Sequence, residues 1–299
     1  MRLSAGLYKN GKEVAFMEKL TQLHGSLLEG CIWDARRRFL YFVDIEKFRI
    51  YRMTEEKKLS VLQLPTYVST LVLTEDGKLL AALQDGLYLV DYEAGTVEMQ
   101  MASAFPVYLR YNDGKCDPEG KLWVGSMYIN QSIAEAKNGS SLFCIRDGQV
   151  IRQYPGYTIP NGLDWYEGLF YHTETSEQRI RVYRQRAEDG DPIGEQIDEI
   201  DLSQEKGSPD GMCVDRDGNL WIAMWGGSQV IGFDPCRKEV FQRIAVPDEN
   251  VSCCAFGGRE LNQLFITTAR NEKGEGGDVY SETLTCSKGK EGYRYGGRK

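Results

Sequence analysis

The sequence has no long hydrophobic run, which argues against a transmembrane helix. A membrane-spanning helix needs about 18–20 consecutive apolar residues, and no such stretch occurs among the 299 residues. The mean hydropathy of −0.43 agrees with this. The first eleven residues also lack the apolar core of a secretory signal. We therefore expect a cytoplasmic protein without a membrane partner.

Positive charge is scarce relative to negative charge. The chain has 36 Lys and Arg against 44 Asp and Glu, which gives a net charge of −8 and a pI of about 5.1. Binding to a phosphate backbone needs clustered Lys and Arg. The one basic triplet, Arg36-Arg37-Arg38, lies where we expect a solvated hairpin turn. We therefore predict no nucleic-acid partner.

Several motifs of catalysis and metal binding are also missing. There are only two histidines, and none of the eight cysteines forms a Cys-x-x-Cys pair, so a thiolate zinc site is not expected. Unpaired cysteines among apolar neighbours are typical of small buried residues in a reducing compartment. No Gly-x-Ser-x-Gly elbow is present, which argues against a serine hydrolase.

Amphipathic helical patterns are nearly absent, and a strand-rich repeat takes their place. Six segments share a short polar turn followed by leucine and further apolar or aromatic residues, spaced by 39, 43, 47, 51 and 44 residues. The anchor leucines are Leu40, Leu79, Leu122, Leu169, Leu220 and Leu264. Periods of about 40–50 residues indicate a propeller or a solenoid, and short β-rich runs between Asp-Gly turns favour the propeller.

We therefore predict an all-β, six-bladed β-propeller that forms a single domain over residues 1–285. The run Val14-Ala15-Phe16-Met17 is expected to supply the outer strand of the last blade and so to close the ring. Residues 286–299, which are rich in Gly, Lys and Arg, are expected to form a flexible tail.

A polar residue precedes each anchor leucine by eight to twelve positions. These residues are Glu29, Ser69, Asn112, Asn161, Asp210 and Ser252. Equivalent positions of a propeller meet at one end of its central channel, so a ring of polar side chains there needs a partner. Carboxylate and amide oxygens suit Ca²⁺, or Mg²⁺ and Mn²⁺. The alternative is that the Asx-Gly pairs only form turns.

An oxygen-ligated cation at a channel mouth could assist ester or lactone hydrolysis. Five ordered segments then resemble the SMP-30/gluconolactonase/regucalcin-like family of six-bladed propeller lactonases, over roughly Leu20 to Tyr280. They are Leu28-Glu29-Gly30-Cys31-Ile32-Trp33-Asp34, Arg110-Tyr111-Asn112-Asp113-Gly114-Lys115, Ile159-Pro160-Asn161-Gly162-Leu163, Ser208-Pro209-Asp210-Gly211-Met212 and Ser252-Cys253-Cys254-Ala255-Phe256.

The resemblance implies a role for five residues. Glu29, Asn161 and Asp210 correspond to the family's ligands for one divalent cation, commonly Ca²⁺ or Zn²⁺. Arg110 and Asn112 correspond to the residues that hold the sugar oxygens and the lactone carbonyl. Further substrate contacts by Asp113, Asn130 or His172 stay open.

The chain departs from the family pattern at two places. Cys31 stands where the family usually has proline after Glu-Gly. Tyr128-Ile129-Asn130 stand where animal members have an acidic pair that touches substrate, so the substrate is expected to differ from theirs.

We therefore predict a metal-dependent hydrolase that opens a sugar lactone. The cation is Ca²⁺ in the first instance, with Zn²⁺, Mn²⁺ or Mg²⁺ as alternatives. Asp210 or a cation-bound water acts as base. The alternatives are a calcium-binding or protein-interaction propeller without catalysis, and an aryl-ester or phosphotriester hydrolase that uses the same site. No particular oligomeric state is indicated.

Overall fold

Six four-stranded antiparallel sheets form the blades of an all-β propeller, which confirms the predicted fold class. The structure is a computed structural model and describes residues 8–9, 12–13, 17–185 and 193–296. Blades 1 to 5 each use four strands that are consecutive in the chain, paired in sequence order. A two-stranded hairpin, β1 (Tyr8–Lys9) with β2 (Lys12–Glu13), precedes the ring.

The strands of the first three blades are β4 (Leu28–Asp34), β5 (Phe39–Asp44), β6 (Arg49–Thr54) and β7 (Leu59–Gln63) in blade 1; β8 (Val68–Leu73), β9 (Leu79–Leu83), β10 (Gly86–Asp91) and β11 (Thr96–Ala102) in blade 2; and β12 (Leu109–Cys116), β13 (Leu122–Tyr128), β14 (Ser140–Arg146) and β15 (Gln149–Tyr157) in blade 3.

The strands of the other three blades are β16 (Pro160–Tyr166), β17 (Leu169–Glu174), β18 (Arg179–Arg184) and β19 (Glu195–Asp201) in blade 4; β20 (Ser208–Val214), β21 (Leu220–Trp225), β22 (Gln229–Asp234) and β23 (Glu239–Ala245) in blade 5; and β24 (Asn250–Gly257), β25 (Gln263–Ala269), β26 (Val279–Thr283) and β3 (Glu18–Lys19) in blade 6. Two 3-10 turns, η1 (Ala134–Ala136) and η2 (Thr175–Glu177), complete the described regular structure.

The anchor leucines lie at the first or second position of the second strand of every blade. Five of them are at most 1% exposed, and Leu169 is half-buried. In blades 3 and 5 the turn before the leucine is fixed in the same way, because a buried aspartate accepts hydrogen bonds from turn amides and from an indole. Asp117 Oδ2 accepts from Trp123 Nε1 at 2.9 Å, and Asp215 Oδ2 accepts from Trp221 Nε1 at 3.1 Å. The Leu-Trp repeat therefore packs the blades together and also anchors their turns.

The first strands of neighbouring blades contact one another around the central channel. We call the end of the channel where these strands begin the upper end, and the end where they finish the lower end. Each first strand is interrupted by a β-bulge, at Gly30-Cys31, Ser69, Asn112-Asp113, Asn161-Gly162, Asp210-Gly211 and Ser252. A bulge twists a strand and re-aims its side chains. All six polar positions of the repeat therefore lie at or beside a bulge near the upper end.

An N-terminal strand closes the ring, as expected, but it lies slightly further along the chain. The outer strand of blade 6 is β3, which pairs with β26 through Lys19 and Glu18. The expected strand began at Val14, and residues 14–16 lie outside the described part of the chain. Closure is reinforced by Asp278, whose carboxylate accepts from Leu23 N at 2.6 Å and pairs with Lys19 Nζ at 2.7 Å.

The C-terminal segment 285–296 crosses the lower end of the channel and contacts all six blades. Its hydrogen bonds and ion pairs join Arg294 to Asp34 in blade 1, Tyr295 to Leu73 in blade 2, Gly296 to Gly120 in blade 3, Lys290 to Asp164 in blade 4, Lys288 to Arg216 in blade 5 and Gly289 to Leu261 in blade 6. We expected a flexible tail from residue 286; the structure defines its position to residue 296, and its mobility stays a prediction.

Candidate functional site

Arg110 and Asn112 form one half of a polar cluster at the upper end of the channel. Both side chains are buried. Arg110 Nη1 donates to Asn112 Oδ1 at 3.0 Å and to the Tyr111 carbonyl at 2.7 Å, and it lies 3.5 Å from Ser69 Oγ in the neighbouring blade. Asn112 Nδ2 donates to the Pro160 carbonyl at 3.0 Å. The two predicted substrate-binding residues therefore hold each other in place and link blades 2, 3 and 4.

Asn161 and Asp210 form the other half, from blades 4 and 5. Asn161 Nδ2 donates to Asp210 Oδ1 and also to Thr175 Oγ1 at 3.1 Å. Thr175 Oγ1 in turn donates to the Pro209 carbonyl at 2.8 Å. Both amide protons of Asn161 are therefore used, while its Oδ1 is buried and has no hydrogen-bond partner among the described residues. A buried acceptor without a donor is costly and calls for a partner from outside the protein.

Three buried carboxylates at this end of the channel have raised pKa values. Burial, with Asp113 next in importance, raises the pKa of Glu29 to about 8. Burial, followed by the charges of Glu29 and Asp113, raises the pKa of Asp210 well above its ordinary value. Burial also raises the pKa of Asp113. Glu29 Oε2 accepts a backbone hydrogen bond from Gly30 N at 2.8 Å. A bound cation would relieve this repulsion.

The donor set fits a hard divalent cation. Two carboxylates, Glu29 and Asp210, and the free Asn161 Oδ1 are the oxygen ligands that such cations prefer. Within the described residues, no group of three or more His, Cys, Asp or Glu is arranged to hold a metal ion. Glu29, Asn161 and Asp210 do not form a group of that kind, because Asn161 contributes an amide oxygen and is not one of those four residue types. The fit therefore rests on the unpartnered amide oxygen and on the mutual repulsion of the buried carboxylates.

Other positions singled out in the sequence are used differently. Ser252 Oγ donates to the Leu28 carbonyl at 2.5 Å and lies 2.9 Å from Thr267 Oγ1, so it joins blade 6 to blade 1. His172 is fully buried between Phe170 and Tyr157, and its burial lowers its pKa to about 3. His172 is thus a neutral core residue.

Asn130 lies in an exposed loop, where its Oδ1 accepts from Ser132 N at 3.0 Å and from Ser132 Oγ at 2.7 Å. The pair Tyr128-Ile129 precedes it, and the Tyr128 ring stacks on the half-exposed Tyr108 with centroids 5.2 Å apart. The rim of blade 3 therefore carries aromatic and aliphatic groups at the place where the sequence departs from the family pattern.

Sequence reasoning missed two residues that organise the site. Thr175 lies in η2, outside the repeated motif, and no spacing signal pointed to it. Lys115 belongs to the Arg-x-Asn-Asp-Gly-Lys segment and is three-quarters buried; its Nζ pairs with Asp164 Oδ2 at 3.1 Å and donates to the Met212 carbonyl at 2.9 Å. Lys115 thus joins blades 3, 4 and 5 just below the carboxylates.

The fold and the site together define a class of protein: a six-bladed propeller with a buried carboxylate, amide and guanidinium cluster at one end of its channel. The family model for the SMP-30/gluconolactonase/LRE-like region matches residues 27–270. The chain therefore belongs to this family, which confirms the resemblance inferred from the sequence.

Named relatives agree with the family assignment. The chain is 34% identical over 251 residues to "Putative sugar lactone lactonase YvrE" of Bacillus subtilis, covering 83% of this chain and 85% of that protein. It is 26% identical over 283 residues to regucalcin of Bos taurus, covering 90% and 94%. The crystal structure of a calcium-binding regucalcin from Agrobacterium tumefaciens superimposes with a TM-score of 0.85 at 25% identity, covering 93% and 96%.

Proposed function

We propose that this protein is a divalent-metal-dependent lactonase that opens a sugar lactone. The observation that carries the proposal is the buried Asn161 Oδ1, which has no partner within the described part of the chain. The same amide donates to the buried Asp210, and the charge of the buried Glu29 acts on Asp210. Family membership and the likeness to a protein named as a sugar lactone lactonase support the substrate class. The calcium-binding regucalcin of similar fold supports Ca²⁺ as the cation, with Zn²⁺, Mn²⁺ and Mg²⁺ as alternatives.

Glu29, Asn161 and Asp210 would hold the cation. When bound, it supplies a positive charge that polarises the lactone carbonyl. Arg110 orients the substrate: its Nη1 donates to Asn112 and Tyr111, and its remaining guanidinium protons make no hydrogen bond to the residues that the structure describes. They are therefore free to donate to hydroxyl and ring oxygens of the substrate. Asn112, held by Arg110 and Pro160, fixes the direction of that guanidinium.

Asp210 is the base in this proposal. Its Oδ1 accepts from Asn161, which leaves its second carboxylate oxygen to take a proton from the attacking water. The water oxygen bonds to the lactone carbonyl carbon, the ring C–O bond then breaks, and the proton passes from Asp210 to the leaving ring oxygen, which becomes a hydroxyl. A cation lowers the basicity of a carboxylate that it touches, and the burial and the neighbouring charges described above act in the opposite direction. The developing oxyanion would be stabilised by the preorganised positive charge of the Arg110 guanidinium, and such stabilisation is often the main source of rate enhancement in acyl transfer.

Substitution of the proposed base tests the function. Asp210→Ala should abolish acid release from a panel of sugar lactones, with a loss of at least about 10³-fold expected for a residue that is both base and ligand. Asp217→Ala is the matched control, because Asp217 is an exposed turn residue on the same blade at the lower end of the channel. Circular dichroism should show both variants folded. Full activity in Asp210→Ala would overturn the proposal.

Chelation tests the metal. Dialysis against EDTA should remove activity, and Ca²⁺, Zn²⁺, Mn²⁺ or Mg²⁺ added singly should identify the cation that restores it. Undiminished hydrolysis after chelation would remove the cation from the mechanism. Cation binding without hydrolysis of any lactone would favour the calcium-binding propeller instead. Hydrolysis of aryl esters or phosphotriesters alone would favour the third alternative.

We also propose a reducing, cytoplasmic location. All eight cysteines are free, six of them buried, and Cys213 and Cys254 are unlinked although their sulfur atoms lie 4.0 Å apart. Such pairs persist as thiols in reducing compartments. The two helical segments that the structure describes are single turns, so within those residues nothing helical could span a bilayer.

A further inference from the structure

We infer that Thr175 is a positioning residue of the cation site: its hydroxyl sets the orientation of the Asn161 amide and couples Asn161 to the backbone beside Asp210. The inference rests on the proposed function, because it assigns a role toward the cation held by Glu29, Asn161 and Asp210.

The turn that carries Thr175 is held rigidly against the loop before Asn161. Thr175 N donates to the Ile159 carbonyl at 3.2 Å. The carboxylate of Glu174, which is 1% exposed, accepts from Thr158 N at 3.0 Å and from Ile159 N at 2.9 Å. The same carboxylate accepts from Ser176 Oγ at 2.7 Å. Glu174 therefore fixes both ends of the arrangement, so Thr175 has little freedom to move relative to Asn161.

The direction of the hydrogen bonds decides how the Asn161 amide lies. A threonine hydroxyl has one proton to donate, and the Pro209 carbonyl, 2.8 Å away, can only accept it. Thr175 Oγ1 must therefore act as acceptor toward Asn161, and the group that faces it at 3.1 Å must be the NH₂ of the amide. A flipped amide would place Oδ1 against a hydroxyl whose proton is already used and against the Asp210 carboxylate.

This assignment explains the unpartnered Asn161 Oδ1. With Nδ2 held by Thr175 and Asp210, the amide oxygen is buried and free within the described structure. The donation to Pro209 acts on the residue directly before Asp210. One hydroxyl therefore positions a ligand on blade 4 and the backbone of a ligand on blade 5. Residues that orient ligands through hydrogen bonds typically contribute about 10–100-fold to metal affinity.

The test measures Ca²⁺ binding directly. Apo-protein is titrated with calcium chloride by calorimetry for the wild type, Thr175→Val and Thr175→Ser. Thr175→Val keeps the shape and removes the hydroxyl, and it should weaken Ca²⁺ binding by about 10-fold or more. Thr175→Ser restores the hydroxyl and should bind within about threefold of the wild type. The rise in melting temperature on adding Ca²⁺ should shrink for Thr175→Val. Its melting temperature without Ca²⁺ should fall by only a few degrees, because the Pro209 carbonyl loses its donor.

Thr173→Val is the matched control. Thr173 lies two residues earlier on β17, and among the described residues its hydroxyl has a single partner, Met212 Sδ, at 3.9 Å. Its substitution should leave the Ca²⁺ affinity unchanged. Lactone hydrolysis by Thr175→Val should recover at high Ca²⁺, because the base and the substrate-binding residues are intact.

The outcomes separate the two proposals. Unchanged Ca²⁺ affinity in Thr175→Val overturns the inference and leaves the lactonase proposal standing. Equal weakening in Thr175→Val and Thr175→Ser also overturns it, because the hydroxyl would then not be the cause. A wild type whose Ca²⁺ affinity depends on the Thr175 hydroxyl but that opens no lactone overturns the lactonase and supports the inference. A wild type that binds no divalent cation overturns both.

Discussion

The ion pair between Arg294 and Asp34 makes the C-terminal segment part of the propeller's stability. Arg294 Nη2 lies 2.7 Å from Asp34 Oδ1, and the two side chains are 6% and 1% exposed. Arg294 Nη1 also donates to the Thr74 carbonyl at 3.3 Å. Within the described residues Asp34 Oδ2 has no hydrogen-bond partner. If Arg294 were removed, Asp34 Oδ1 would keep one donor, the backbone amide of Arg36 at 3.1 Å. Arg294→Ala would therefore leave a nearly uncompensated charge in the interior.

The burial of this ion pair sets the loss of stability expected for Arg294→Ala. Removal of one partner from a buried ion pair costs about 3–5 kcal/mol. With an unfolding entropy of about 2.1 cal/mol/K per residue, the 299-residue chain has about 0.6 kcal/mol/K if it unfolds as one unit. Arg294→Ala should therefore lower the melting temperature by about 5–8 °C. Differential scanning calorimetry measures this shift.

An exposed arginine provides the control. Arg237 has a side chain that is 75% exposed and lies 3.6 Å from Asp234. A surface pair contributes about 0–1 kcal/mol, so Arg237→Ala should shift the melting temperature by less than about 2 °C. Arg294→Met combined with Asp34→Asn should cost less than the sum of the single changes, because no buried charge is left. Equal shifts in Arg294→Ala and Arg237→Ala would refute the reasoning.

Two further predictions concern the core and the bulges. The folded His172 ring stays neutral until its lowered pKa of about 3 is reached, whereas the unfolded ring takes a proton below about pH 6.5, so stability falls as the pH drops through this window. Between pH 7 and pH 5, protonation of His172 in the unfolded chain should lower the free energy of unfolding by about 2 kcal/mol. Urea unfolding should show that His172→Met lacks this part of the decrease. An identical pH dependence in both proteins would contradict the assignment. Gly162→Ala should reduce Ca²⁺ affinity in calorimetry, because a Cβ there would lie 2.7 Å from Met212 N in the strand that carries Asp210. Gly292→Ala, whose Cβ would have no described atom within 4 Å, is the control, and equal affinities would count against the close-approach argument.

Repetition is what made the fold predictable, together with the shared register of the proposed site residues. The period located the second strand of every blade, because each blade must bury its leucine against its neighbours. Glu29, Asn161 and Asp210 fell in one register for the same reason, since equivalent backbone positions around a ring converge. In the folded chain the charges of Glu29 and Asp113 act on Asp210, whose carboxylate also accepts from Asn161.

Hydrogen-bond direction within that register could not be predicted from spacing. Ser252 shares the register of Asp210, yet its hydroxyl donates to the Leu28 carbonyl of the next blade. Thr175 lies outside the register, yet it decides which atom of Asn161 is free. The contacts of residues 285–296 could not be predicted from spacing either, because Arg294 is 260 positions from the aspartate it pairs with. Each depends on which atoms of another blade lie opposite, and a single segment does not encode that information.

The three Asx-Gly pairs show why a local interpretation of the motif fails here. Turns favour glycine because it adopts positive φ, and the alternative hypothesis assigned these pairs to turns. Gly114, Gly162 and Gly211 instead lie within first strands and none of the three has positive φ. At Gly162 and Gly211 a Cβ would collide with the first strand of the next blade, and at Gly114 with the Trp123 carbonyl of its own blade. At the first two positions glycine therefore allows the first strands to approach closely, and at Gly162 that approach brings Asn161 of blade 4 against Asp210 of blade 5.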